Sequence, residues 1–66
     1  MMYVIKRTIG IDADGSLLCI FYHSLTPNGV PLWVEHRQDA QRLSRDTGDI
    51  LVEVFRKHYA EAVVLE

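Results

Sequence analysis

The chain has 66 residues, a net charge of −2 and an apolar share of 48%. A chain this short makes one domain, residues 1–66, with a thin core worth no more than about 3–5 kcal/mol, and the apolar share excludes disorder. No basic run exceeds the pairs Lys6-Arg7 and Arg56-Lys57, which argues against direct nucleic-acid binding, because phosphates call for a concentrated basic footprint.

Tyr3 to Ile11 is β-branched and reads as a first strand, with Tyr3, Ile5, Ile9 and Ile11 on one face, interrupted by Arg7. Asp12 to Ser16 forms a turn, marked by Asp14-Gly15. Leu17 to His23 follows as a second strand, apolar on both faces as a central strand should be. Thr26-Pro27-Asn28-Gly29 is the next turn. Both Asp-Gly and Asn-Gly favour tight type I′ hairpins, which need positive φ at both central positions. Val30 to His36 is the third strand, with Val30, Leu32 and Val34 on one face and Trp33 and Glu35 on the other.

Arg37 to Ser44 has only Ala40 and Leu43 as apolar residues and reads as a connection resting on the sheet edge. Ser44, Asp46 and Thr47 can each cap a helix start, and Asp46 or Asp49 suits its dipole. Ile50, Leu51, Val54, Phe55, His58 and Tyr59 then recur at helical spacing as a buried stripe, opposite Asp49, Glu53, Arg56, Lys57 and Glu61. Glu53 and Lys57 form a favourable i,i+4 pair. Ala62 to Leu65 reads as a fourth strand, with two more helical turns as the alternative. The expected fold is α+β: an antiparallel sheet of three to four strands in the order β-β-β-α-β, with the helix on one face and the other face open.

Motifs for chemistry are absent from the sequence. Asp12-Ala13-Asp14-Gly15 opens like a calcium loop, but His23 stands where the bidentate Glu should be. Cys19 and His23 share a strand face about 13 Å apart, too far to hold one ion. Ser24 follows His23 directly, so the two point to opposite faces, and no glycine-rich phosphate loop exists. No catalytic residue, metal or cofactor is therefore expected. The lone Cys19 excludes an internal disulfide and fits a reducing compartment. The first residues carry their charges after the apolar ones, the reverse of a secretory leader. No run approaches the ~20 apolar residues of a membrane span. These features point to the cytoplasm and away from a membrane.

The apolar surplus points instead to a partner. If Cys19, Phe21 and the Val30/Leu32/Val34 set face the helix, then Ile20, Tyr22 and Trp33 share the open face, where aromatic anchors bury large area at small entropic cost. The alternative puts Trp33 in the core. Glu35, Asp39, Asp46, Asp49 and Glu53 cluster in the second half, interleaved with Arg37, Arg42 and Arg45. The candidate partner-binding residues are thus Tyr22, Trp33, Glu35, Asp46, Asp49 and Glu53.

The opening Met2-Tyr3-Val4-Ile5-Lys6-Arg7, the strand pair, and Trp33 followed by Ala40 and a helix resemble a loose group of small phage-encoded proteins. Leu43 stands where that group usually has an aromatic. The resemblance, similar in kind to anti-CRISPR inhibitors, implies a non-catalytic phage or mobile-element protein that binds and sterically blocks a host protein, such as a CRISPR–Cas complex in the host cytoplasm. The alternative is a homodimeric accessory protein whose open sheet face is its interface.

Overall fold

The computed structural model describes residues 1–59 and 62–66. It realises the β-β-β-α-β order as β1 (Ile5–Ile11), β2 (Leu17–Leu25), β3 (Pro31–Val34), α1 (Arg45–Tyr59) and β4 (Val63–Leu65). The strands form one antiparallel sheet in the order β3-β2-β1-β4, so the doubly apolar β2 is internal. The tail at Val63–Leu65 is strand rather than further helix. Ala60 and Glu61 lie outside the described residues, and with them the expected placement of Glu61 on the helix. No helix among the described residues is long and apolar enough to cross a membrane.

Both hairpin turns sit where the dipeptides put them, but their geometry differs from the expected two-residue form. Asp12 N–H bonds Ser16 O at 2.9 Å and Gly15 N–H bonds Asp12 O at 3.1 Å; Thr26, Gly29 and Val30 repeat the pattern at 2.8 and 2.9 Å. Each loop therefore has three residues and ends in glycine at positive φ, 88° at Gly15 and 80° at Gly29. Pro27 explains the second case. Its ring fixes φ near −65°, which suits the first central position of a type I turn and forbids type I′. The Asp12 carboxylate accepts from the Asp14 and Ser16 amides, both at 3.1 Å, as Thr26 Oγ1 does from Val30 N–H.

The helix covers the sheet face that carries Tyr22 and Trp33, the alternative that puts Trp33 in the core. Ile5, Tyr22, Leu43, Val52, Phe55 and Val63 are buried together, with Trp33, Leu51, Tyr59 and Leu65 packed around them. Tyr22 and Trp33 are therefore core aromatics against α1. They do not lie on an open sheet face, as the partner-anchor reading requires. The physical reason is area: Tyr22 and Trp33 meet Phe55 and Tyr59 of α1 on this face, gathering four large rings where a thin core needs them. The ring centres of Tyr22 and Phe55 lie 5.3 Å apart with planes at 45°, those of Trp33 and Phe55 5.6 Å apart at 62°, and those of Trp33 and Tyr59 5.6 Å apart at 84°.

The buried stripe of α1 is also rotated from the expected one. Gly48, Val52 and Phe55 are buried, with Leu51 and Tyr59 at its edge, whereas Ile50 and Val54 are 65% and 43% exposed and His58 is exposed. Gly48 sets the rotation. A Cβ there would stand 2.6 Å from Leu65 Cδ1, so the helix approaches β4 through its one residue without a side chain. Ser44 is the N-cap: its hydroxyl accepts from Thr47 N–H at 3.4 Å and its carbonyl from Gly48 N–H at 2.9 Å.

The other sheet face is partly roofed by the chain itself. A short 3-10 turn at Arg37–Asp39 leads to Ala40, which is buried with Val4 and Phe21 beside Cys19 and Val34. The chain then enters the sheet plane. Gln41 N–H bonds Tyr22 O at 2.9 Å, and Leu43 exchanges two 2.8 Å bonds with Tyr3. This wedge between the start of β1 and β2 is why β1 begins at Ile5 rather than Tyr3. It also carries Leu43 across into the helix-side core, opposite Ala40.

Candidate partner-binding surface

With Tyr22 buried and Trp33 half-buried against α1, the exposed residues of the candidate set are the four acids. Burial raises the Tyr22 phenol above its ordinary value of 10.0, which keeps it neutral beneath the helix. Glu35 is exposed in the bend after β3; Asp46, Asp49 and Glu53 are exposed on α1. The three helical acids stand at i, i+3 and i+7, so they share one stripe about 10 Å long. Asp46 lies in the first turn, where the helix dipole favours a negative charge. Glu35 belongs to a different element, and nothing in the fold joins it to this stripe.

Two of these acids border a cleft of about 560 Å³ between α1 and β4, lined by Asp49, Glu53, Arg45, Arg56, Ile50 and Tyr3 along with Val52, Val64 and Leu65. Its apolar wall comes from the helix rotation that leaves Ile50 outside the core. Its charges are mixed: Arg45 Nε lies 3.7 Å from Asp49 Oδ2 on an exposed turn, a contact worth about 0.3–0.5 kcal/mol. Arg56 is tied down differently, donating from Nε to the Val63 carbonyl at 2.9 Å on the outer edge of β4. A smaller cleft of about 380 Å³, lined by Val30, Pro31, Val54, Phe55, His58 and Tyr59, opens on the β3 side. Among the described residues no three His, Cys, Asp or Glu side chains converge as a metal site would require.

Two charge arrangements escape a reading by periodicity. Glu66 accepts from Lys6 Nζ and Arg37 Nη1, both at 2.6 Å, and the Arg37 guanidinium lies 5.8 Å from the centre of the Phe21 ring. The Lys6 hydrogen bond, then that from Arg37, holds the Glu66 carboxyl below its ordinary value of 4.5, while the same bond raises Lys6. On the helix side, Arg7 interrupts the apolar face of β1 because its guanidinium lies 3.7 Å from the centre of the Tyr59 ring and 5.5 Å from that of Trp33. An Arg opposite an aromatic-rich helix end is the only sequence signal for that contact. No family model, curated protein or solved structure matches the chain.

Proposed function

We propose that this chain is a non-catalytic phage or mobile-element protein that works by occupying a surface of a host protein, with a CRISPR–Cas complex as the target class and the host cytoplasm as its compartment. The observation carrying this reading is the exposed stripe of Asp46, Asp49 and Glu53 along one rigid helix. Carboxylates held a turn apart offer a basic groove the charge it normally takes from phosphates, and the apolar wall at Ile50 gives the contact area that charge alone lacks. The contact surface is α1 and its cleft. Tyr22 and Trp33 support it from within, by fixing the helix on the sheet.

The test is phage plaquing on a host carrying a matching CRISPR array, across several CRISPR types, with the protein supplied from a plasmid. Wild type is expected to restore plaques against at least one type. A variant with Asp46→Asn, Asp49→Asn and Glu53→Gln, shown folded by circular dichroism, is expected to lose that effect. Restoration in no type, or restoration that the neutral variant retains, ends this reading.

A further inference from the structure

We propose that a second copy of this chain pairs antiparallel along the free edge of β2 at Leu17–Cys19, about a two-fold axis at Leu18. β2 is longer than its neighbour on one side: β3 pairs only with Phe21 to Leu25, whereas β1 accompanies β2 down to Leu17. The direction of the free backbone groups follows from the ladder. Val4 and Glu66 exchange both their bonds, and antiparallel pairs alternate between bonded and unbonded. Lys6 therefore directs its groups to β4 and Arg7 directs its own to β2. Thr8 and Cys19 then form an unbonded pair, with Cys19 N–H and C=O pointing away from β1. From the turn end, Asp12 N–H bonds Ser16 O, so Ile11 and Leu17 are likewise unbonded and Leu17 also points its groups outward. Neither residue has a backbone partner on that side among the described residues.

The other outer edges carry the usual guards. β3 opens on Pro31, which has no N–H, and the Val63 carbonyl of β4 is capped by Arg56. The Leu17–Cys19 edge has no proline and no charge: no Asp, Glu, Lys or Arg occurs between Gly15 and Val34. One ladder irregularity, between Thr8 and Gly10, faces Cys19 and Leu18 but puts its extra residue in β1, so Leu17–Cys19 run without interruption; the other lies between Tyr22 and Ser24. Around this edge Ile9, Ile11, Leu17 and Leu18 are 52%, 66%, 61% and 42% exposed. Leu17 and Leu18 are consecutive, so they put one aliphatic side chain on each sheet face beside the edge, where a second copy would cover both.

The occupant is a second copy because the edge is complementary to itself. With Leu18 opposite Leu18, Leu17 of each copy exchanges both bonds with Cys19 of the other, giving four new bonds and no unpaired group between them. The Leu17–Cys19 segment itself carries no charge. The pairing also leaves the α1 cleft free, since Tyr3 and Ile11 mark opposite ends of the β1 stretch, about 26 Å apart. It is independent of the proposed inhibition.

Analytical ultracentrifugation from about 1 to 500 μM tests it, on wild type, Leu18→Lys and Val54→Lys, the last an exposed aliphatic site on α1. Wild type is expected to dimerise within this range, Leu18→Lys to weaken the dimer at least tenfold, and Val54→Lys to leave it unchanged. A wild type that stays monomeric overturns the proposal, and so does a dimer indifferent to Leu18→Lys. Amide exchange on wild type decides the matter if Leu18→Lys fails to fold. Leu17 and Cys19 amides should gain protection as concentration rises, while Leu18 and Ile20, already bonded to β1, should not. Protection of Leu17 and Cys19 that is independent of concentration refutes the pairing.

Discussion

The contact between Gly48 and Leu65 makes a substitution that is ordinarily stabilising turn against the fold. Gly48 lies in the first turns of α1 (Arg45–Tyr59), where Gly→Ala normally gains about 1 kcal/mol of helix propensity. Here the new Cβ would stand 2.6, 3.1 and 3.4 Å from Cδ1, Cδ2 and Cγ of Leu65. Relieving that overlap costs about 1–3 kcal/mol in a packed site. Leu65 is only half-buried and can give way, so the cost falls near the middle of the range and the net loss is about 1 kcal/mol. In a Leu65→Ala background the obstacle is gone, and Gly48→Ala should then stabilise by about 1 kcal/mol. The coupling in the double-mutant cycle is therefore about 2 kcal/mol. Urea unfolding followed by circular dichroism measures each corner, with added sulfate to keep the weakest variants folded at the start. If Gly48→Ala stabilises both backgrounds equally, with coupling below about 0.5 kcal/mol, the close approach of α1 to β4 is not what sets the helix rotation.

Two further outcomes follow from the same packing and charge arrangement. Phe55→Ala removes a buried ring from the helix-side core at a cost of about 3–5 kcal/mol, comparable to what so small a core supplies. It should lose its cooperative urea transition at 25 °C, while Ile50→Ala, at a site 65% exposed, should stay within about 0.5 kcal/mol of wild type. The Glu66 carboxyl is held below 4.5 by its Lys6 and Arg37 hydrogen bonds, so it titrates more easily in the unfolded chain. Its contribution is complete above pH 4.5 and is lost as pH falls through the lower folded value. Wild-type urea midpoints should drop across that window, and Glu66→Gln should flatten the drop. Asp14 is held to about 2 by the Asp12 carboxyl first and Ser16 next, so its own contribution is lost as pH falls from 3.8 through about 2. A Glu66→Gln profile that parallels wild type below pH 4.5 would remove this carboxylate from the acid response.

The elements were legible because each has its own local signal: β-branched runs for β1 and β2, glycine-ended turns between the strands, and a change of period before Ile50. Faces were less legible. Along β2 both sides are apolar, so alternation alone does not tell whether Tyr22 or Phe21 meets the helix, and with it whether the aromatics are core or surface. The helix stripe failed for a related reason. Gly48 counts as nothing on a hydropathy scale, yet its missing side chain sets which face approaches β4. In the candidate site, Asp46, Asp49 and Glu53 were legible from helical spacing alone. The cleft beside them was not, because Tyr3, Val64 and Leu65 come from the far ends of the chain. The Ala40–Leu43 wedge depends on hydrogen bonds to Tyr3 and Tyr22, pairings across long separations that composition does not encode.

The position of β1 between its two partners also orders events in time. On one side it closes with β2 across a separation of 11 residues, as at Thr8 and Cys19. On the other it waits for β4, with Lys6 and Glu66 60 residues apart. Loop-closure entropy makes the second event about 1.5 kcal/mol more costly than the first, and pairings across such separations are the slow ones. The β1–β2 hairpin is thus the early structure, and the floor under Val52 and Phe55, begun by Ile5 and Tyr22, is incomplete until Val63 arrives. A nascent chain holds its central hairpin ready while its core is still unfinished, so the arrival of β4 decides when this domain becomes safe from aggregation and proteolysis.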